Sequence, residues 1–267
     1  MSTQGIGNED VFYLQRTLLL RDGPLELDGV FGEKTKSALE SFQRRHGIAD
    51  TGVICSRTRE MLEQQARTFH LLGKADLADA AATLGVPRST LYAVMSVETA
   101  GLGFLLDGRP KILFERHIMY RRLLCAGLDA NACAARDPEI VNTRPGGYAG
   151  GAAEYERLAR AITISRTAAL ESCSWGLFQV MGFHWQLLGY ASVQRFVEAM
   201  EESERRQLDA FAAFIHGNPA LHRALQARNW ANFAEGYNGR NYRANAYDVR
   251  LAEAYAHFDA LVSPRAA

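Results

Sequence analysis

Apolar residues return at helical spacing along most of this chain, and glycine or proline cuts each run short. Val11, Leu14, Leu18 and Leu19 form the first such stripe, which predicts a helix ending before the turn signal Asp22-Gly23-Pro24. Ala38, Leu39 and Phe42 form a second stripe, with Thr35 or the residues just before it as the expected cap and Gly47 as the stop. A third helix is expected over 56–62, after Asp50-Thr51-Gly52-Val53 repeats the turn chemistry of Asp28-Gly29. A short helix follows over 76–84. In the next one Leu91, Val94, Met95 and Glu98 lie at i, i+3, i+4 and i+7. Further helices are expected over about 152–172, 192–216, 221–229 and 244–261. The segment KILFERH (111–117) is extended or helical, and periodicity does not decide between them. Residues 129–152, rich in glycine and proline, read as a long loop of the kind that is usually functional. No sequence repeat is evident. The expected fold is mainly α: a small three-helix unit, then a larger helical segment starting near residue 72. Each segment has its own apolar pattern and turns, so the expected separation is near 67–74.

Composition narrows the function classes. Of 267 residues, 48% are hydrophobic and 22% charged, with a formal net charge of zero. That is enough apolar mass for a real core, and it gives bulk electrostatics no role in binding nucleic acid or an anionic membrane. No apolar run approaches the about 18 residues of a membrane span, so no membrane insertion is expected. The N-terminal MSTQGIGNED lacks the layout of a secretory signal, which leads to the expectation of a chain that is cytoplasmic when made. Cys55, Cys125, Cys133 and Cys173 show no CxxC pair, and buried free thiols are the expectation. The histidines show no HxH or HExxH spacing, so neither a metal nor a cofactor is expected. A monomer is expected.

Glu98 breaks its own pattern. A carboxylate on an apolar helix face loses hydration, and a helix C-terminus adds unfavourable negative potential. Both favour the protonated acid, which can deliver a proton to a leaving oxygen. The alternative is a structural ion pair with an arginine such as Arg116 or Arg144. Two later stretches carry suitable groups for gripping sugars. SWGLFQVMGFHW (174–185) offers the amide of Gln179 among apolar residues, and GYNGRNY (236–242) offers Tyr237 and Asn238 beside a glycine. Trp175 and Tyr242 also read as core.

The stretch "VFYLQRTL…LDGVFGEKTKSALESFQRRHGIADTGVI…TREML" resembles the peptidoglycan-binding domain type 1 family over roughly 55 residues. The resemblance implies a helical wall-anchoring module over 1–66, with Asp28, Phe31, Thr35, Phe42 and Gln43 as its motif residues; individually, most of these also serve as turn or core. The run "AVMSVETAGLGF…KILFERH…YERLARA…SCSWGLFQVMGFHW…YNGRNY" resembles the N-acetylmuramidases of modular bacteriophage endolysins, within the lysozyme-like superfamily. This implies, over 72–267, a lysozyme-like helical domain with a short β/loop region that cuts between N-acetylmuramic acid and N-acetylglucosamine in bacterial peptidoglycan. It also implies Glu98 as general acid. Gln179, Ser174, Trp175 and Met181 are then expected to line the substrate cleft. From their own chemistry Tyr237 and Asn238 are expected as further sugar contacts, and Tyr148 as part of a loop 129–152 that borders the cleft or is a passive surface insertion.

Family members often have Ser after the catalytic Glu and proline in the FExH segment, where Thr99 and Arg116 stand here. Glycosidases usually use a second carboxylate, for which Glu115 is the first candidate and Asp107 the second. Glu115 equally suits bonding a backbone or holding His117. The alternatives are a lytic transglycosylase using the same Glu, and a non-catalytic wall-binding protein. An endolysin without a signal would wait in the host cytoplasm for a separate pore.

Overall fold

The computed structural model describes residues 7–21, 25–99, 101–239 and 242–262. The turn expected at 22–24 and two residues of the GYNGRNY stretch lie outside them. Among the described residues the α-helices are, in chain order, α1 Asn8–Leu18, α2 Glu33–Arg45, α3 Ser56–Thr68, α4 Lys74–Leu84, α5 Arg88–Glu98, α6 Arg116–Cys125 and α7 Ala130–Arg136. There follow α8 Glu154–Ile164, α9 Arg166–Glu171, α10 Val193–Glu202, α11 Glu204–His216, α12 Pro219–Gln226, α13 Trp230–Asn238 and α14 Tyr247–Val262. Strands β1 Ile112–Phe114, β2 Cys173–Trp175 and β3 Val180–Met181 form one small antiparallel sheet in the order β1-β2-β3. The fold is mainly α, as expected. The backbone forms two compact units: Met1–Leu102 with Asn218–Ala267, and Gly103–Gly217.

In the first unit, α1, α2 and α3 enclose Leu14, Leu18, Ala38, Leu39 and Phe42, with Phe31, Ile54, Met61 and Leu62 packed around them. Two glutamines clasp the turns. The Gln15 amide donates to Asp28 Oδ1 (2.6 Å), the Val30 carbonyl (3.1 Å) and Thr35 Oγ1 (3.2 Å), and accepts from the Gly29 N–H (2.9 Å). The Gln43 amide donates to the Val53 carbonyl (2.8 Å) and Thr58 Oγ1 (3.1 Å), and accepts from the Gly52 N–H (3.0 Å). Gly29 and Gly52 both take left-handed backbone, at φ 70° and 68°. This is a structural repeat where none was expected. The spacing from glutamine to glycine differs, 14 residues in one half and 9 in the other, which hides it in the sequence.

The clasps also show what the motif residues do individually, which is to build turn and core. Thr35, Phe42 and Gln43 are sealed from solvent, and Asp28 is engaged by Gln15 and by the Val30 N–H. These residues build the module, because a buried amide or hydroxyl must satisfy backbone groups that water cannot reach. The cap of α2 is Gly32, and Thr35 sits one turn further in.

The same unit includes a group of aromatic contacts to later helices. The Phe12 ring from α1 packs edge-on against Tyr92 of α5 (4.8 Å between centroids) and Phe258 of α14 (5.6 Å), and those two stack on each other (5.4 Å). Glu9 bonds Arg88 and the Tyr92 hydroxyl, and Asp10 pairs with Lys74. Gly85 closes α4 in left-handed backbone, and its end is capped by Gln226 and His222 on the Leu84 carbonyl.

In the second unit, several expected elements divide. The helix foreseen over 152–172 breaks at Ser165 and the one over 192–216 at Ser203. Both serines are extended and cap the following helix through their hydroxyls. The loop foreseen over 129–152 begins with α7, capped by Asp129. KILFERH holds β1 and the start of α6.

Candidate functional site

Glu98 is the last residue of α5 and is half-buried; the three apolar residues sharing its face, Leu91, Val94 and Met95, are at most 1% exposed. After it, Thr99 turns extended and its hydroxyl donates to the Met95 carbonyl (2.6 Å), closing the helix end. Serine has the same hydroxyl, so threonine here preserves the local geometry.

Burial raises the Glu98 carboxyl above the usual carboxylate range; a hydrogen bond from Asn238 and the charge of Arg250 pull it back only in part. Asn238 Nδ2 donates to Glu98 Oε2 at 2.7 Å. Glu98 Oε1 and Asn238 Oδ1 are buried acceptors with no hydrogen-bond partner among the described residues. Such a pair suits an incoming O–H or N–H donor, or a proton on Glu98 itself. No ion pair to Glu98 occurs among the described residues, and the guanidinium of Arg116 is instead bonded to the Arg144 and Pro145 carbonyls.

Asn238 arrives on α13, an element that the sequence pattern did not reveal. Its buried positions, Phe233 and Ala234, are few, and Asn229 caps it through its side chain. Tyr237 stacks on Phe233 with ring planes 10° apart and centroids 5.5 Å apart. Burial, then the nearby Glu98, pushes its hydroxyl far up, so it stays neutral. Tyr242 is 5% exposed and belongs to the core.

In the second unit, β2 and β3 carry the SWGLFQVMG stretch. Gln179 stands exposed between the buried Phe178 and Val180, in left-handed backbone at φ 50° that costs a non-glycine residue roughly 1 kcal/mol or more. Its amide is oriented by Ser174 Oγ (2.7 Å to Oε1) and donates to the Gly176 carbonyl (2.8 Å). Met181 pairs with Ser174 across the hairpin and is half-buried. Gly182 is forced, since a Cβ there would lie 2.2 Å from the Leu170 carbonyl oxygen. Trp175 is a correction: it is 2% exposed and its indole N–H donates to the Leu170 carbonyl, so it packs in the core and offers no face to a sugar.

Glu115 caps α6 in sequence position, accepts from the Tyr148 hydroxyl at 2.9 and 3.1 Å, and has His117 Nδ1 3.1 Å from Oε2. Tyr148 therefore holds Glu115, in addition to being 48% exposed. Asp107 is exposed and bound by Arg109 (2.6 Å), which holds its carboxyl below the usual range.

One carboxylate escaped notice in the sequence. Glu154, with no exposed surface, accepts from the N–H groups of Ala149 (2.6 Å), Gly150 (2.9 Å) and Phe114 (3.1 Å) and from Arg157 (2.8 Å). Burial alone would raise its pKa; these bonds outweigh that and lower it. Together with Arg116, which bonds carbonyls 144 and 145, it ties down the segment 142–150. A glutamate opening a helix just after a glycine run was the available signal.

Cys133 and Cys173 are buried free thiols; Cys55 and Cys125 are exposed, against expectation, because each lies at a helix boundary facing solvent. Among the described residues, no group of three or more His, Cys, Asp or Glu side chains is placed to hold a metal, and no helix is long and apolar enough to cross a membrane.

The N-acetylmuramidase family profile matches residues 87–259, and the putative peptidoglycan binding domain profile matches residues 7–62. Among solved structures, the crystal structure of the Burkholderia AP3 phage endolysin is 47% identical, covers 94% of this chain and 96% of its own, and superposes with a TM-score of 0.72. No curated protein matches significantly.

Proposed function

This chain belongs to the N-acetylmuramidase family and is a glycoside hydrolase of peptidoglycan, built as an endolysin with a peptidoglycan-binding domain, and on that premise we propose that Glu98 is its general acid. The observation that carries the proposal is the environment of that one carboxyl. Burial at a helix end raises the Glu98 carboxyl and so favours its protonated form before reaction. Asn238, 2.7 Å from Oε2, then receives the carboxylate that proton donation leaves behind. The two influences oppose each other, which suits a group that must hold a proton and also release it.

The reaction follows from that proton. Glu98 protonates the oxygen between N-acetylmuramic acid and N-acetylglucosamine, positive charge develops at the anomeric carbon, and water adds there. The amide of Gln179, displayed by a strained hairpin and oriented by Ser174, supplies a hydrogen-bonding group for a sugar hydroxyl or acetamido substituent. Tyr237 offers a neutral ring and hydroxyl beside the acid. Glu115, engaged by Tyr148 and His117, acts in holding segment 142–150 rather than in proton transfer.

Residues 1–66 serve as the wall-binding module and 72–267 as the catalytic part. Holding the insoluble polymer raises its local concentration at the acid. The enzyme acts as a monomer and waits in the host cytoplasm until a separate pore admits it to the wall. Mass spectrometry of digested sacculi tests the chemistry. Hydrolysis yields reducing N-acetylmuramic acid ends. A 1,6-anhydro product would mean that the muramic 6-hydroxyl, not water, completes the reaction.

A further inference from the structure

Adjacent residues on α1 point to different tasks. Gln15 clasps the first module's own turn, as described above. Arg16, next to it and 1% exposed, reaches the other way: its Nε and Nη2 donate to the carbonyl of Gly101 at 3.3 and 3.2 Å. Gly101 lies three residues beyond Glu98. Its N–H donates to Thr99 Oγ1 (3.3 Å), whose hydroxyl in turn donates to the Met95 carbonyl. The end of the acid's helix is thus linked by hydrogen bonds to a guanidinium from the N-terminal module.

Glycine suits this position by its backbone conformation and by the closeness of α1. Its backbone is left-handed at φ 87°, and a Cβ there would lie 2.8 Å from Leu19 Cδ1, just past the end of α1. One segment of the module therefore grips the turn after Glu98 by a charge-assisted bond and by packing. A buried guanidinium is costly unless hydrogen bonds compensate its lost hydration, and two of those bonds are made to the Gly101 carbonyl. The glycosidic oxygen must meet the acid to within a fraction of an ångström, so small movements of this turn matter to the rate.

We propose that Arg16 is a positioning residue for the general acid: the wall-binding module, besides anchoring the enzyme, completes the support of the Glu98 helix end. The inference rests on Glu98 being the acid. It makes the module part of the catalytic apparatus, and removal of residues 1–66 then costs turnover as well as wall affinity.

The test uses the full-length chain with Arg16→Met, which keeps the stem and removes the donors, and Arg16→Lys, which keeps the charge with a single donating nitrogen. Sacculus binding, thermal unfolding, and kcat and KM on soluble glycan fragments of peptidoglycan are measured for each across pH. Arg16→Met is expected to lower kcat about 10-fold with sacculus binding retained. The alkaline limb of its pH profile should move to lower pH, because a loosened turn lets water reach Glu98, whose neighbours Tyr237 and Arg250 are unchanged. Arg16→Lys should recover part of both effects. Unchanged kcat and limb with only a lower melting temperature would overturn the proposal, as would lost sacculus binding with normal turnover on soluble glycan. If Arg16→Met does not fold, Arg16→Lys is judged by the same criteria. Glu98→Gln, assayed beside them, separates the two claims: a lysing Glu98→Gln removes the acid, whereas a silent one with a normal Arg16→Met removes only the positioning role.

Discussion

Replacing Glu154 with glutamine changes a single atom and should destabilise the second unit severely. In the native site each carboxylate oxygen takes two donors: Oε1 those of Ala149 and Gly150, Oε2 those of Phe114 and Arg157. A glutamine can satisfy only one of these pairs. Its NH2 group then faces two N–H donors, in either orientation, in a site with no exposed surface. Removing one partner of a buried ion pair costs about 3–5 kcal/mol, and each stranded donor adds to that. At about 2–4 °C per kcal/mol for a unit of this order of size, the melting temperature should fall by roughly 10 °C. The sign of the pH dependence follows from the depressed pKa of Glu154. The stability it contributes is present above the unfolded carboxylate value of about 4.3 and is lost as pH falls through the folded value. The gap between wild type and Glu154→Gln should therefore be full at pH 7 and close in acid. Circular-dichroism melts across pH, with hydrogen exchange at Ala149 and Gly150, measure both. A Glu154→Gln protein within about 1 kcal/mol of wild type at neutral pH, or a gap independent of pH, would refute the reasoning.

Asn238→Leu should leave the fold intact but move the alkaline limb of activity to higher pH, since the bond favouring the Glu98 carboxylate is lost; kcat should fall about 10-fold, and a pH–rate profile checks it. Gln179→Gly should relieve the left-handed backbone and stabilise the protein by about 1 kcal/mol while raising KM on glycan fragments; unchanged KM would remove Gln179 from substrate binding.

Much of the architecture was written in local patterns. The stripes in α1, α2 and α5 and the left-handed glycines at 29, 47 and 85 sit where spacing and turn chemistry placed them. The breaks at Ser165 and Ser203 were missed because apolar periodicity runs through them, and only the extended backbone of each serine interrupts the helix. Glu98 was legible because it violates its own stripe, as functional positions tend to. Asn238 was legible as a polar group beside glycine, but its target was not, since 140 residues separate it from Glu98. Trp175 misled because an aromatic residue in a glycine-rich strip suits a sugar platform and a core equally well; only its buried indole bond decides. The motif residues of the module had the opposite ambiguity, and burial of Thr35, Phe42 and Gln43 assigns them to its construction.

Glu98→Gln in the full-length protein tests the central claim most directly, with lysis of outer-membrane-stripped cells, sacculus binding and melting temperature read on one preparation. Because burial raises the Glu98 pKa, its ionised form costs stability above the unfolded value, so the variant should melt no lower than wild type at pH 7. That advantage should fade as pH falls below about 4.3. Lysis should drop at least ~10²-fold with sacculus binding retained. A folded, wall-binding Glu98→Gln that lyses within a few-fold of wild type would contradict the account.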